Sequence, residues 1–277
     1  MATAPTKSTP APKKESSGSA SGLFATLAIP ICIGIGILIY IFILGDPSHY
    51  EGGDPALAPA DLFGTMHKGG VLVPLVMSYV LMVIVFSIER FIVIGKASGT
   101  SSVDAFVKRI QGFLNQGNID AASAECDKQK GSVANVIKAG LKKYKEMESD
   151  ATLDVDQKTL AIQKDIEEAT ALEMPMLEQN LTIIATLVSI GTLTGLLGTV
   201  VGMIKAFKEL SGAATNTAAL SAAISEALVN TALGISTSAL SIVMYNVFTS
   251  KIDGLTYAID ETGFSIVQTF AASHKNK

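Results

Sequence analysis

Four stretches of this chain run for about twenty residues or more without a charged side chain: Leu23 to Gly45, Gly69 to Ile88, Gln179 to Ile204 and Ala227 to Ser250. About 20 apolar residues in a helix cover the ~30 Å hydrocarbon core of a bilayer, and a helix keeps its backbone hydrogen bonds internal there. The expected fold class is therefore all-α integral membrane, with four transmembrane helices. Composition agrees: 48% of the 277 residues are hydrophobic, 17% are charged, and mean hydropathy is +0.42, more apolar content than one soluble domain of this size buries. A formal charge of -4 leaves no basic footprint for nucleic acid. Two cysteines, Cys32 and Cys126, and three scattered histidines, His49, His67 and His274, give no disulfide framework, metal cluster or catalytic triad. No metal, cofactor or enzymatic activity is expected.

Residues 1–22 are small, polar and Pro-rich with Lys7, Lys13 and Lys14, and read as a flexible basic tail. The apolar run at 23–45 is too long for the centre of a cleaved signal peptide and reads as a first, retained span. The remaining expected segments are an outer loop at 46–68, a second span at 69–94, a helical domain at 95–178, a third span at 179–207, an outer link at 208–218, a fourth span at 219–250 and a tail at 251–277. Lys and Arg favour the cytoplasmic side, which places both termini and the 95–178 domain there, although Lys205 and Lys208, about the outer end of the third span, argue mildly the other way.

Within that domain, Val103, Phe106, Val107, Ile110, Phe113 and Leu114 fall at helical spacing, as do Val133, Val136, Ile137, Leu141 and Tyr144, with a break at Asn115 to Asn118. A small helical hairpin is expected, without a phosphate loop or paired acid and base. From Asp156 a helical pattern through Ile162, Ile166, Ala169 and Leu172 runs into the third span, with Pro175 expected to bend it. Spans three and four are expected to project into the cytoplasm as long helices.

The third span carries Gly191, Gly195, Gly198 and Gly202 on one stripe, the pattern of closely packed membrane helices. The stripe fits packing inside one subunit and an oligomeric wall equally well. On the fourth span Glu226, Asn230, Gly234, Thr237 and Ser241 share one narrow arc, with Thr231 and Ser238 beside it, and Leu228, Ile235 and Ile242 opposite.

Glu226 is the one charged residue between Leu210 and Ser250. A carboxylate in hydrocarbon costs at least about 2.5 kcal/mol and usually faces a cavity, a partner or an ion path. Hydrocarbon favours its neutral form, which suits a side chain that takes up and releases a proton. Asn230, one turn on, is the expected partner if Glu226 is merely structural. One acid with hydroxyls and no base in the span suits protons or small cations.

Four segments are then recognisable together. Gly195-Leu196-Leu197-Gly198-Thr199-Val200-Val201-Gly202-Met203-Ile204-Lys205-Ala206-Phe207 resembles the GLLGTVxGMIxAF signature of the MotA/TolQ/ExbB proton-channel family. Glu226 to Gly234 resembles its EALxxTAxG motif, Tyr245 to Phe248 its YNxF, and Ser87 to Phe91 its SIER. The similarity is greatest to ExbB. It implies an inner-membrane motor in which a ring of five such chains surrounds single-span ExbD/TolR-type helices and drives a TonB-like or TolA-like protein. It also implies that Glu226, Thr199 and Thr231 form the proton path, with Asn230, Thr237, Ser241 and Thr192 as pore-lining or supporting residues. Thr192 and Leu240 stand where the family usually has proline, and the first span is additional to the three of ExbB and TolQ. TolQ-like, flagellar-stator-like and non-conducting scaffold roles are the alternatives.

Overall fold

The structure, a computed structural model, describes residues 17–55, 57–211 and 217–274. Helix α1 (Ser17–Leu38) continues through a π-helical turn, Ile39–Leu44. It begins ahead of the expected boundary at Leu23, because hydropathy marks the edge of an apolar run while a helix, once nucleated, extends one bond per residue beyond it. The rest of the expected tail lies outside the described residues. After a capped 3-10 turn at Pro47–His49 and the short α2 (Leu62–His67), the chain enters α3 (Leu72–Ser98). Helices α4 (Val103–Asn115), α5 (Ile119–Gln129) and α6 (Gly131–Ser149) follow, then α7 (Val155–Glu178), α8 (Leu181–Leu210) and α9 (Thr217–His274). Among the described residues, four helical stretches are long and apolar enough to cross a membrane: Leu23–Leu44, Leu72–Asn115, Val155–Leu210 and Thr217–His274.

The largest packing interface joins α8 to α9, and α3 lies against both. Helix α1 rests on the outer side of α3, where Phe24 meets Phe86 edge-on at 5.9 Å and Cys32 is buried. A side chain at Gly36 would strike the Ser78 hydroxyl, so the two helices approach closely there. Leu27 and Ile31 on the opposite face of α1, and Phe42 in the π-helical turn, are left exposed among the described residues.

The segment expected as a hairpin is instead three helices packed on α7 and the distal half of α9. Phe106, Ile110, Val136, Ile137, Leu141, Ile162, Ile266 and Phe270 are buried together, each adding about 1.5–3 kcal/mol relative to exposure. The additional helix between the expected two, α5, gives no apolar pattern because it is short and mostly polar, yet Ala122 and Cys126 close the bundle. Burial pushes the Cys126 thiol up to about 12. A buried amide fixes this bundle to α3: Gln129 Nε2 donates to the Ser98 and Ser101 carbonyls, both at 2.8 Å. Gly99 makes the turn possible, since its φ of +85° and the Gln129 carbonyl beside it leave no place for a Cβ.

Pro175 does not end the helix where it stands. Helix α7 runs through it to Glu178, and the break falls at Asn180, in the left-handed region at φ 64°. The carbonyls freed near this break are taken by Arg90, only 1% exposed, whose Nη1 donates to Met176 O at 3.2 Å and Leu177 O at 3.1 Å. Its Nε donates to Glu89 Oε2 at 2.6 Å, and Asn180 Nδ2 reaches the same oxygen at 3.4 Å. Helices α7 and α8 are thus two rods joined at a clamped break, whereas α9 continues unbroken for 58 residues.

Candidate functional site

Glu226 sits near the start of α9, where the end of α8 and the turn before α3 meet. Its carboxylate is not alone: Lys205 Nζ donates to Oε1 at 2.6 Å and to Oε2 at 2.8 Å. The Glu226 side chain is 12% exposed and that of Lys205 50%. The base comes from α8, outside the span that carries the acid. Helices α8 and α9 pack along one another, so a lysine at the far end of one span meets an acid at the start of the next. A search of each span by itself cannot see this pair.

The third wall is backbone. Gly70, at φ +79°, lies against the Glu226 carboxylate, and a Cβ there would collide with Oε1. Asn230 is fully buried and holds this turn down, its Nδ2 donating to Gly69 O at 2.7 Å and to the Glu226 backbone carbonyl at 3.0 Å. The bond to the Glu226 carboxylate that a merely structural pair would make is not the one Asn230 forms; its Oδ1 is buried without a hydrogen-bond partner.

The segment leading into Gly69 is itself tied. His67 Nδ1 and the Tyr50 hydroxyl are 2.5 Å apart, and the Tyr40 hydroxyl donates to His67 O at 2.9 Å. Burial, and then the Lys68 charge, hold the His67 imidazole below its ordinary pKa. Asp61 accepts the Gly64 N–H at 2.9 Å and pairs with His49 at 2.6 Å, which holds its carboxyl below the usual carboxylate range. The described residues between His49 and Gly70 therefore form a tied strap over the start of α9.

The glycine stripe faces α9 of the same chain. Gly191, Gly195, Gly198 and Gly202 are all buried against it, and a Cβ on any of them would meet Ser238, the Asn230 carbonyl, the Asn230 side chain or Ala227, respectively, at less than normal contact distance. Thr231 Oγ1 is shared between Gly195 O and Ala227 O, both at 3.1 Å, which makes it a clasp between the helices. Ser238 Oγ donates to Val188 O at 2.6 Å, and the Thr192 and Ser238 hydroxyls are 2.7 Å apart. Thr237 and Ser241 are fully buried and donate to carbonyls of their own helix at 2.8 Å. Thr199 is partly exposed, with its hydroxyl on Leu196 O at 2.6 Å.

The structure thus gathers Glu226, Asn230 and Thr231 with Lys205, Gly69 and Gly70. It leaves Thr237 and Ser241 deep in the bundle, and Thr192 beside Ser238. Lys205, Gly70 and Arg90 are the residues that sequence reasoning passed over. Lys205 bears the first charge after an uncharged run from Gln179, a signal for an ion-pair partner.

A sequence profile described as the MotA/TolQ/ExbB proton channel family matches residues 128–261, a stretch that holds the α8 glycines, Lys205 and Glu226. Over that stretch, just under half of its length, the chain is similar to this family. An ExbB-like biopolymer transport protein of Synechocystis sp. is 35% identical over 88 residues, 31% of this chain and 42% of that protein. The Tol-Pal system protein TolQ of Pseudomonas aeruginosa is 24% identical over 196 residues, 69% of this chain and 84% of that protein. The chain thus spans less than half the length of the first relative and most of the second. Four apolar helical stretches among the described residues, together with this likeness, mark the chain as a multi-pass membrane protein.

Proposed function

We propose that the chain is the proton-channel subunit of an inner-membrane motor of the ExbB-ExbD type, which couples the proton motive force to TonB-dependent transport across an outer membrane. The observation that carries this reading is Glu226 itself, an acid in the fourth apolar stretch, packed among Lys205, Gly70 and Asn230 near the start of a 58-residue helix. A proton on Glu226 cancels one charge of the pair and releases Lys205; its departure restores the pair. Each cycle thereby switches a charge-assisted contact between α8, α9 and the strap, and the long α9 carries that change to the bundle at its far end. Glu226, Thr199 and Thr231 form the proton path in this reading, with Thr192 and Asn230 in support.

The chain works as a homopentameric ring around single-span ExbD/TolR-like helices, in contact with a TonB-like protein, with both termini and the α4–α6 bundle in the cytoplasm. Large apolar side chains left exposed on the parts of α7 and α9 beyond the spans, Leu172 at 82%, Tyr257 at 70% and Phe264 at 63%, support assembly with further copies. A TolQ-like role in the same kind of motor is the second reading, favoured by the greater length of the match to TolQ.

The test is Glu226→Gln, which keeps the shape and one acceptor for Lys205 while removing the charge and the site of protonation. The variant is expected to assemble as the native protein does and to lose uptake that depends on the proton motive force. Native uptake by an assembled Glu226→Gln complex would refute the proposal, and loss of envelope integrity with uptake intact would select the TolQ-like role.

A further inference from the structure

One intramembrane acid with hydroxyls is compatible with a proton or with a small cation such as sodium. We propose that Lys205 decides between them, acting as the specificity-determining residue that admits protons to Glu226 and rejects sodium. This inference rests on the channel reading of Glu226 given above.

The geometry is direct. Lys205 Nζ stands 2.6 and 2.8 Å from the two oxygens of Glu226, astride the carboxylate, which is the place a coordinated cation takes. The rest of the wall offers little to replace it. Gly69 O accepts from Asn230, and Gly70 closes one side without a side chain. A hard cation needs a shell of oxygen ligands, whereas a proton needs one lone pair and a water to deliver it.

The approach is also set against cations. Glu226 lines a cavity of about 370 Å³ together with Lys68, Lys205, Lys208 and Glu209, three positive side chains against two negative. Lys68 is held in place by its hydrogen bond to Leu57 O. A sodium ion on the Glu226 carboxylate would lie about 4 Å from the ammonium, and repulsion at that distance, discounted for the half-exposed lysine, weakens its binding by roughly tenfold or more. A proton arriving through water adds no ion beside Lys205; it neutralises the carboxylate and frees the ammonium to turn outward into the cavity.

The experiment uses the complex purified with its native partners and reconstituted in liposomes, with proton flux measured in choline and in sodium media and sodium-22 uptake measured in parallel. The native complex is expected to conduct protons equally in both media and to take up no sodium. Lys205→Gln is expected to become sodium-sensitive, with sodium either suppressing proton flux or being carried. Lys205→Arg, which keeps the charge, is expected to remain indifferent. A conducting Lys205→Gln complex that ignores sodium would overturn the inference, as would sodium uptake by the native complex. Should Lys205→Gln fail to assemble, zero-length carbodiimide coupling of the native protein decides: a Lys205–Glu226 isopeptide bond detected by mass spectrometry supports the pairing, and its absence refutes it. Proton flux through Glu226→Gln equal to native would bring down the channel reading itself, whereas a dead Glu226→Gln beside a sodium-indifferent Lys205→Gln removes the role of Lys205 alone.

Discussion

Replacing Gly198 with alanine adds one methyl group at the tightest point between α8 and α9. The new Cβ would overlap the Asn230 Cβ and lie 2.9 Å from its Cγ. Asn230 cannot swing away without giving up its 2.7 Å bond to Gly69 O, because the residue is completely buried. Overpacking of this kind costs about 1–3 kcal/mol, and losing the hydrogen bond adds about 1. Against this, alanine gains up to about 1 kcal/mol over glycine in helix propensity. The net expectation is a loss of about 1–3 kcal/mol. Gly112, on α4, supplies the internal control: nothing lies within 4 Å of a Cβ there, so Gly112→Ala gains the propensity without the collision and is expected to stabilise by about 1 kcal/mol. Both can be measured by circular dichroism during sodium dodecyl sulfate titration of the full chain in mixed micelles. Equal responses of the two variants would refute the argument that Gly198 is required by close approach to Asn230.

Two further expectations follow from the buried polar groups. Arg90→Met strands Glu89 and two α7 carbonyls, and is expected to destabilise the chain by about 3 kcal/mol in the same titration, with Arg90→Lys recovering part of the loss; a fully stable Arg90→Met would contradict the clamp. His67, held below its ordinary pKa by burial and by Lys68, contributes stability that is present above the ordinary histidine value and is lost as the pH falls from there toward its depressed folded value. Carbon-detected NMR titration of labelled histidine should show its midpoint below that of a free imidazole, with loosening of the Tyr50 contact as it charges; a midpoint at or above the free value would contradict the buried strap.

Much of the architecture was legible because hydrocarbon imposes a simple rule. Uncharged runs of sufficient length must be helices, and the four runs found in the sequence are the four helical stretches of the structure. Helical spacing likewise marked Phe106, Ile110 and Leu114 as one buried face. The arc through Asn230, Gly234 and Thr237 was readable as a protein-facing side of α9, and Leu228 and Ile235 opposite it are exposed. Where the reading fell short, the missing information was a relation between segments. The extent of α1 ahead of its apolar core, the break at Asn180 beyond the bend expected at Pro175, and the third helix of the bundle depend on what the chain packs against.

The sequence by itself determined that this chain crosses a membrane on helices and places one carboxylate within an apolar span, because solvation energies act residue by residue. Only the tertiary structure decided that the glycine stripe serves the contact between α8 and α9, that Asn230 ties down a backbone turn, and that Lys205 rather than Asn230 meets Glu226. Those choices follow from the crossing and register of helices distant in sequence, and periodicity along one helix carries no record of its neighbour.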